Sequence, residues 1–588
     1  MLIMGITGHR LNRLDPLSSA LVASRLGEVM AAVAIAASQL QAIGPDWFQT
    51  SSPDIRLVSA LAEGADRLAA AALDAGFRLD VATPFERSVY EGDFPTDESR
   101  TQFQALLASA GTILELPGTR AQEETAYTLA GAAILAVADM LIAVWNGQGS
   151  GGRGGTGDTV ATALAQGKPV IHIPIVPEQP IRILWPGDGP AGGSWHSAIE
   201  PPSRPFDLEG LEQVLAGRLL PPADPAEQRA LATFLDEEEK LIVHRIEYPL
   251  LLWATGVDKF PKNGWKKEPY RQSTRQWWTP FDAAIGDHIE PRPRDMLEGA
   301  YAFADNLASR FAQYFRSGHV INFAFSALAV ALALSGLLLP PAFKIGLVGV
   351  ELLLIGMIVL NTRIGHREAW HQRWLDYRQL AERLRPMRSL KLLGIAQPPN
   401  VSAASRTGSL RWIDWYATAI WRQLGLPSGR IDQARIAELL ALLQDQEIGP
   451  EIRYHQKNAH RMQHVNHRLH QFGSLCFLTT VLLCVGFLFY AALMEKSHTT
   501  AIIFSVLTAA LPAFGSAAYG LRVQGDFAGS AARSAETAKA LAEVRIQLDG
   551  CTSLTRAAAL GNAAAAVMLV DLAEWRLTYE QRRLEIPG

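Results

Sequence analysis

Cysteine is scarce in this chain of 588 residues. There are three, Cys476, Cys484 and Cys551, and none falls at a paired metal-ligand spacing. Two of them lie inside one apolar run, which argues against a disulfide framework and for a reducing compartment. An excess of one charge is lacking too. The formal net charge of −4 speaks against a partner held by overall charge, so no nucleic acid is expected. Met1–Gly8 has neither the basic region nor the cleavage site of an export signal, so the N-terminal half is expected in the cytoplasm. No Gly-Lys-Ser/Thr follows any glycine cluster, which excludes a Walker loop. Apolar residues are what the chain has in quantity: 48% of it, with a mean hydropathy of +0.07. That is high for a soluble protein and low for a transporter, so soluble and membrane parts are both expected. The length calls for more than one domain.

The first 175 residues alternate strand-like and helix-like stretches. Leu2–Thr7, Asp54–Ala62, Arg78–Thr83, Gly111–Leu116, Asp139–Trp145 and Pro169–Ile175 read as strands, with helices between them. Short connections and repeated alternation imply an α/β fold, a parallel sheet covered by helices on both faces. Ligands bind such sheets outside the carboxyl ends of the strands. The glycine turns fall there: Gly8, Gly64, and Gly147 through Gly157. Val176–Arg204 reads as a boundary loop, Ala226–Leu252 as a helix, and Asp258–Arg294, basic and Trp-rich, has no assignment.

Farther on, Val320–Leu339, Ile345–Leu360, Phe472–Met494 and Ala501–Leu521 are long apolar segments. A membrane helix needs roughly 20 apolar residues, so four transmembrane helices in two hairpins are expected, the second of them marginal. Arginines and lysines flank the hairpins, and their turns hold few charges. Both ends and the central connector are therefore expected on the cytoplasmic side. Trp370, Trp374 and Tyr490 suit an interfacial belt or a packed helical face. Glu351 lies inside an apolar span and is a pore or packing candidate. His460, His464 and His467 share a helical face, but no Cys or acid completes a metal site, so no metal is expected.

The stretch Asn146–Asp158 holds seven glycines between a strand and a helix. Such a loop lets backbone N–H groups approach an anion at a helix start. Asn146, Gly147, Arg153, Gly154, Gly155, Thr156, Gly157 and Asp158 are its candidate ligand residues, Thr156 offering a hydroxyl and Arg153 a charge. Gly8, His9 and Arg10 form a second turn, whose guanidinium suits a phosphate. Ala62, Glu63, Gly64 and Asp66 form a third. Its acids accept from ribose hydroxyls or, equally, stabilise a helix start. Pro84-Phe85 closes the third strand.

Taken together, Gly5-Ile6-Thr7-Gly8-His9-Arg10, Ser59–Asp66, Pro84-Phe85 and Gly154–Asp158 resemble the SLOG superfamily, whose relatives include DprA proteins, LOG nucleoside-phosphate hydrolases and TRPM N-terminal domains. The resemblance spans residues 1–180 and implies a Rossmann-like nucleotide-sensing domain. Trp374-x2-Tyr377-Arg378-x2-Ala381-Glu382-x-Leu384-Arg385 resembles SLATT domains, two-helix membrane effectors. Residues 296–395 and 456–588 are then two such domains, the second diverged, with Ser534-Ala535-Glu536 and Leu541 a faint echo of the first. Residues 181–295 are a linker and coupling region, and 396–455 a cytoplasmic helical connector. The resemblance implies a bacterial inner-membrane defence effector. A nucleotide signal, ADP-ribose-like or otherwise derived from NAD, is sensed by homo-oligomers that form a pore or disrupt the bilayer. No cofactor or catalytic residue is expected. LOG enzymes carry Gly-Gly-x-Gly-Thr-x-x-Glu, and here three residues beyond Thr156 stands Thr159, not Glu. A membrane-anchored N-glycosidase using Asp158 or Glu63 is the alternative, and a protein-binding scaffold a third reading.

Overall fold

The structure is a computed structural model. It describes every residue except 49, 51, 75, 149–153, 186–200, 243, 261–267, 400–410, 494–496, 581–583 and 586–588, and gives only the backbone of 570–580. Nine strands form one mixed sheet: β1 (Leu2–Gly8), β2 (Ile55–Ser59), β3 (Phe77–Thr83), β4 (Thr112–Glu115), β5 (Met140–Val144), β6 (Val170–Ile173), β7 (Arg182–Leu184), β8 (Ser203–Pro205) and β9 (Gly429–Arg430). Their order is β8-β7-β6-β5-β1-β2-β3-β4-β9, and every pairing is parallel except the two made by β7. The inner strands are apolar on both faces, as a doubly covered parallel sheet requires. From β1 the chain steps through β2, β3 and β4 in one direction, then returns to the other side of β1 for β5 and β6. The switch point lies between β1 and β5, the place where sheets of this kind form a ligand crevice.

Three strands extend this sheet beyond the expected domain. The stretch 176–204 is not simply a boundary loop, because β7 lies within it and β8 begins there. Ile181, Ile183, Leu184 and Trp185 are buried, and β8 is an edge strand, where a proline costs no inner ladder bond. Strand β9, from the connector, pairs with β4 through Leu114 and Glu115.

Helices α1 (Pro16–Ile43), α2 (Ala65–Ala71), α3 (Arg87–Tyr90), α4 (Asp97–Ser109), α5 (Glu123–Val137), α6 (Thr156–Ala165) and α7 (Leu208–Leu219) surround the sheet. Pro16 sits in the first turn of α1, and the Asp15 carboxylate accepts from Ser18 N at 2.7 Å. The helical remainder comprises α8 (Pro225–Leu235), α9 (Glu247–Ala254), α10 (Tyr270–Ile285), α11 (Pro291–Ser335), α12 (Pro341–Arg367), α13 (Trp370–Leu384), α14 (Met387–Leu390), α15 (Trp412–Gln423), α16 (Gln433–Leu442), α17 (Gly449–Leu493), α18 (His498–Gln524), α19 (Phe527–Leu548) and α20 (Leu554–Glu580). The helix expected over 226–252 is two, α8 and α9. Between them the acidic run is drawn into tertiary bonds: Arg310 pairs with Glu237 and donates to Glu238 O at 2.8 Å. The unassigned 258–294 stretch contains α10, whose Trp278, Phe281 and Ile285 are buried in the same cluster as α11.

Five helical spans are long and apolar enough to cross a membrane: Pro16–Ile43, Pro291–Ser335, Pro341–Arg367, Gln433–Leu493 and His498–Leu548. The first differs from the rest in its packing. Val22, Leu26, Val29, Val33 and Leu40 of α1 share a buried cluster with Leu2, Met4 and Ile6 of β1. Stripping five such side chains from the sheet would forfeit on the order of 10 kcal/mol. In α12 and the apolar part of α17, by contrast, Ile345, Val348, Leu352, Leu353, Leu475, Leu478, Leu482 and Leu488 are exposed. An apolar band of that extent needs a cover that the described residues do not supply.

The sheet's two faces serve different neighbours. One carries α1, α2, α4 and α7. On the other, Ile3, Val58, Leu114 and Leu141 belong to one continuous cluster with α5 and α6. That cluster also takes in Leu297–Phe315 of α11, α13 and the inner residues of α20. Sheet and helical body therefore share a core.

Candidate functional site

The first turn is fixed by close approach. A Cβ on Gly8 would stand 2.4 Å from Ala65 Cβ and 2.8 Å from Val144 Cβ, so only glycine lets α2 and β5 meet β1 there. Gly64 has φ 102°, and a Cβ on it would lie 2.5 Å from His9 O. Ala65 N donates to His9 O at 3.1 Å, and His9 N to Val144 O at 3.0 Å. The loops after β1, β2 and β5 are thus bolted together at the switch point. Beside them Leu61, fully buried, has φ 57°, a left-handed conformation that strains a branched side chain. Its N–H donates to Ser59 Oγ at 2.9 Å, and its carbonyl accepts from Arg67 Nε at 3.1 Å, which hold it there.

Side chains from four loops then converge. Arg10, half-exposed, lies over the Tyr127 ring at 4.6 Å and 4.0 Å from an Asp93 oxygen. Tyr127 OH donates to Asp93, and Arg120 pairs with it. Asp66 is buried; Ser59 Oγ donates to it at 3.3 Å. Burial outweighs the hydrogen bonds from Ala62 and Ser59 and pushes its carboxyl up to about 7. His9 is buried as well. Burial lowers its pKa, Arg13 adding to the effect, and its Nε2 has no hydrogen-bond partner. The crevice thus combines a half-exposed cation on an aromatic ring with a carboxyl poised to change charge near neutrality.

Not every expected residue faces this space. Pro84 and Phe85 are buried, Phe85 beneath Arg120 at 4.4 Å and against Tyr127. They shape the floor rather than present groups to a ligand. Glu63 is half-buried and accepts from Ser99 Oγ. Asn146 lies next to His9, whose ring it hydrogen-bonds, and its Oδ1 accepts from Gln148 N at 3.2 Å. Gly147 and Gly154 both have positive φ, and Gly155 caps α6, which Thr156, Gly157 and Asp158 open. The Asp158 carboxylate accepts from Gly154 N at 3.1 Å, so an acid already stands at this helix start. Arg153 lies outside the described residues. Glu351 is half-buried on α12, with no ion pair among the described residues. No group of three His, Cys, Asp or Glu has metal-holding geometry among the described residues.

Asp93, Tyr127, Arg120 and Ser99 were not legible as site residues. Each sits in a loop or helix of unremarkable composition, and only the fold brings Asp93 and Tyr127 to Arg10, Arg120 to Asp93 and Ser99 to Glu63. No protein-family model, curated protein or solved structure matches the chain.

Proposed function

We propose that the chain is a ligand-gated membrane effector. The carboxyl edge of its Rossmann-like sheet is a SLOG-type nucleotide sensor, and α11, α12, α17 and α18 are four membrane spans in two SLATT-type hairpins. The fifth apolar helix, α1, belongs to the sheet. The observation that carries this reading is the shared core: α11, 45 residues and about 67 Å long, is packed against the sheet's buried cluster at its start and runs unbroken into its apolar end. A ligand that reorders the loops at the switch point has a stiff lever to the membrane. The proposed ligand is an NAD-derived nucleotide, ADP-ribose-like, its phosphate on Arg10 and the Thr156 hydroxyl and its base near Tyr127. The proposed setting is anti-phage defence at a bacterial inner membrane. Four spans do not enclose a wide aqueous path, so the opened form would be a homo-oligomer.

The test is native mass spectrometry of the full chain purified from phage-infected cells, with any co-purifying nucleotide then added to dye-loaded liposomes carrying the protein. A retained nucleotide that triggers leakage is expected. Arg10→Ala and Thr156→Val should each weaken its retention about tenfold or more, the worth of one charge-assisted bond. Bound nucleotide with intact liposomes would remove the membrane output, and full retention by both variants would move the site elsewhere. A second reading, nucleotide hydrolysis, draws on Asp66, whose pKa of about 7 suits an acid catalyst. Release of free base by the full chain would favour it.

A further inference from the structure

A cavity of about 400 Å³ lies among α9, α11, α13, α17, α19 and α20 and takes no lining residue from the sheet or its loops. It is therefore walled by both helical units and sits where each long helix approaches its apolar run. That volume falls within the range of small-molecule sites.

Its charges are unevenly satisfied. Arg378 pairs with Glu382 and, at 3.1 Å, with Asp305. Arg385 reaches Glu382 and Glu451, both at 2.7 Å. Arg533 reaches Asp526 at 2.8 Å. Arg316 is different. It is exposed to the cavity between two rings, 5.2 Å from the Tyr248 centroid and 4.9 Å from that of Trp374. Among the described residues no carboxylate pairs with it. His455, 8% exposed, also lines the cavity, and its Nδ1 has no hydrogen-bond partner. The rest of the wall is mixed: Leu252, Ala312, Met462 and Met568 give it an apolar strip, and Ser309, Gln313, Asn458, Ser530 and Ser534 add uncharged polar groups.

A cation between two aromatic rings, an unused imidazole nitrogen, neutral polar groups and an apolar strip suit one chemistry. We infer that this cavity binds an anionic phosphate ester with an apolar body, its phosphate on Arg316 and its body against Met462 and Met568. Arg316 stands four residues, about 6 Å, before the apolar run that begins at Val320. The ester can therefore come from an anionic lipid or from a soluble nucleotide. The inference does not depend on what the sheet edge binds.

The experiment titrates the full chain, in a non-ionic detergent, with dioctanoylphosphatidic acid, dioctanoylphosphatidylcholine and adenosine monophosphate, counting bound molecules by native mass spectrometry. Saturable binding of phosphatidic acid without the nucleotide assigns the site to lipid, and the reverse assigns it to a soluble ester. Whichever binds should bind about tenfold more weakly to Arg316→Gln. Arg316→Lys should fall between, because a lysine keeps the charge and loses the fork. Ser530→Asp, which sets a second carboxylate in the half-buried rim on α19, should weaken binding without touching Arg316. If Arg316→Gln fails to fold, Ser530→Asp decides alone. No binding of either anion, equal binding of phosphatidylcholine, or anion binding indifferent to both substitutions overturns the inference.

Discussion

The two helical units are built to one plan with different chemistry inside. The long helices α11 and α17 have 45 residues each, and the returning helices α12 and α18 have 27 each. After each return, one non-glycine residue takes a left-handed conformation, Ala369 with φ 47° and Asp526 with φ 45°, and starts the trailing helix. Counted from those two residues, Trp370 matches Phe527, Ala381 matches Ala538 and Leu384 matches Leu541, and all six are buried. The same register sets Trp374 opposite Ala531, Glu382 opposite Lys539, and Arg385 opposite Ala542. Of the faint echo in Ser534-Ala535-Glu536 and Leu541, this register keeps Leu541, opposite Leu384. The first unit has a buried ionic cluster against the shared core, and the second has two alanines and an exposed lysine at the matching positions. Architecture repeats where the backbone dictates it, and chemistry diverges where the neighbours differ.

The sharpest test of that contrast is at Glu382. Its carboxylate is buried between Arg378 and Arg385, so Glu382→Gln leaves two guanidiniums short of a partner and should cost about 3–5 kcal/mol. Lys539→Gln, at the matched but exposed position, should change stability by less than about 0.5 kcal/mol. Urea unfolding of the detergent-solubilised protein measures both. Burial alone would raise Glu382, but Arg378 and Arg385 outweigh it and hold its pKa below the ordinary value of 4.5. Its contribution is thus complete above pH 4.5 and is lost as pH falls through the lowered folded value. Glu451 shifts the other way, upward, chiefly by burial. The deletion is therefore a cleaner readout than acid titration of the whole cluster. Equal costs at 382 and 539 would break the comparison.

Trp370 and Phe527 test the part that repeats. Both rings are buried at the foot of a trailing helix, Trp370 against Tyr314 and Gly365, Phe527 against Gly525 in a cluster with Val465 and Leu469. Truncation to alanine should cost about 3–4 kcal/mol at either site, since each leaves a ring-sized void. The two melting temperatures should fall together. A Phe527→Ala protein as stable as the parent would mean that the second unit packs by other contacts.

How much of this was readable in the sequence depends on the range of the interaction. The six inner parallel strands announce themselves through apolar runs and glycine turns, because each carries its burial pattern within its own few residues. The long apolar helices do so through length. Strand β9, the break between α8 and α9, and the site residues Asp93 and Tyr127 do not. Two residues, Gly429 and Arg430, carry no periodicity, and their pairing with β4 spans some three hundred residues. Asp139 shows the same limit. It reads as the start of a strand, yet its carboxylate accepts from Ile3 N at 3.0 Å and from Arg422 Nε at 2.8 Å, fastening the connector to the sheet. Within the crevice, glycines marked the loops correctly as turns. Whether Pro84 and Phe85 face a ligand or the floor is decided by Arg120 and Tyr127, which arrive from elsewhere.

The smallest expected effect lies at the two left-handed junctions. A left-handed backbone costs a residue with a Cβ roughly 1–2 kcal/mol, and glycine escapes most of that. Against this, glycine loosens the unfolded chain by about 0.4–1 kcal/mol. For Ala369→Gly the balance is a gain of up to about 1 kcal/mol, because the alanine methyl has no polar partner to lose. Asp526 is not equivalent: its carboxylate accepts from Arg533 at 2.8 Å, a half-buried pair that glycine would remove. That loss, about 1 kcal/mol, cancels the relief of strain. Ala369→Gly should therefore raise the melting temperature by a degree or two, and Asp526→Gly should leave it unchanged or lower it. A matching rise in both would mean that the Asp526–Arg533 pair contributes nothing, and that the second junction, like the first, is held by its backbone and the ring that follows it.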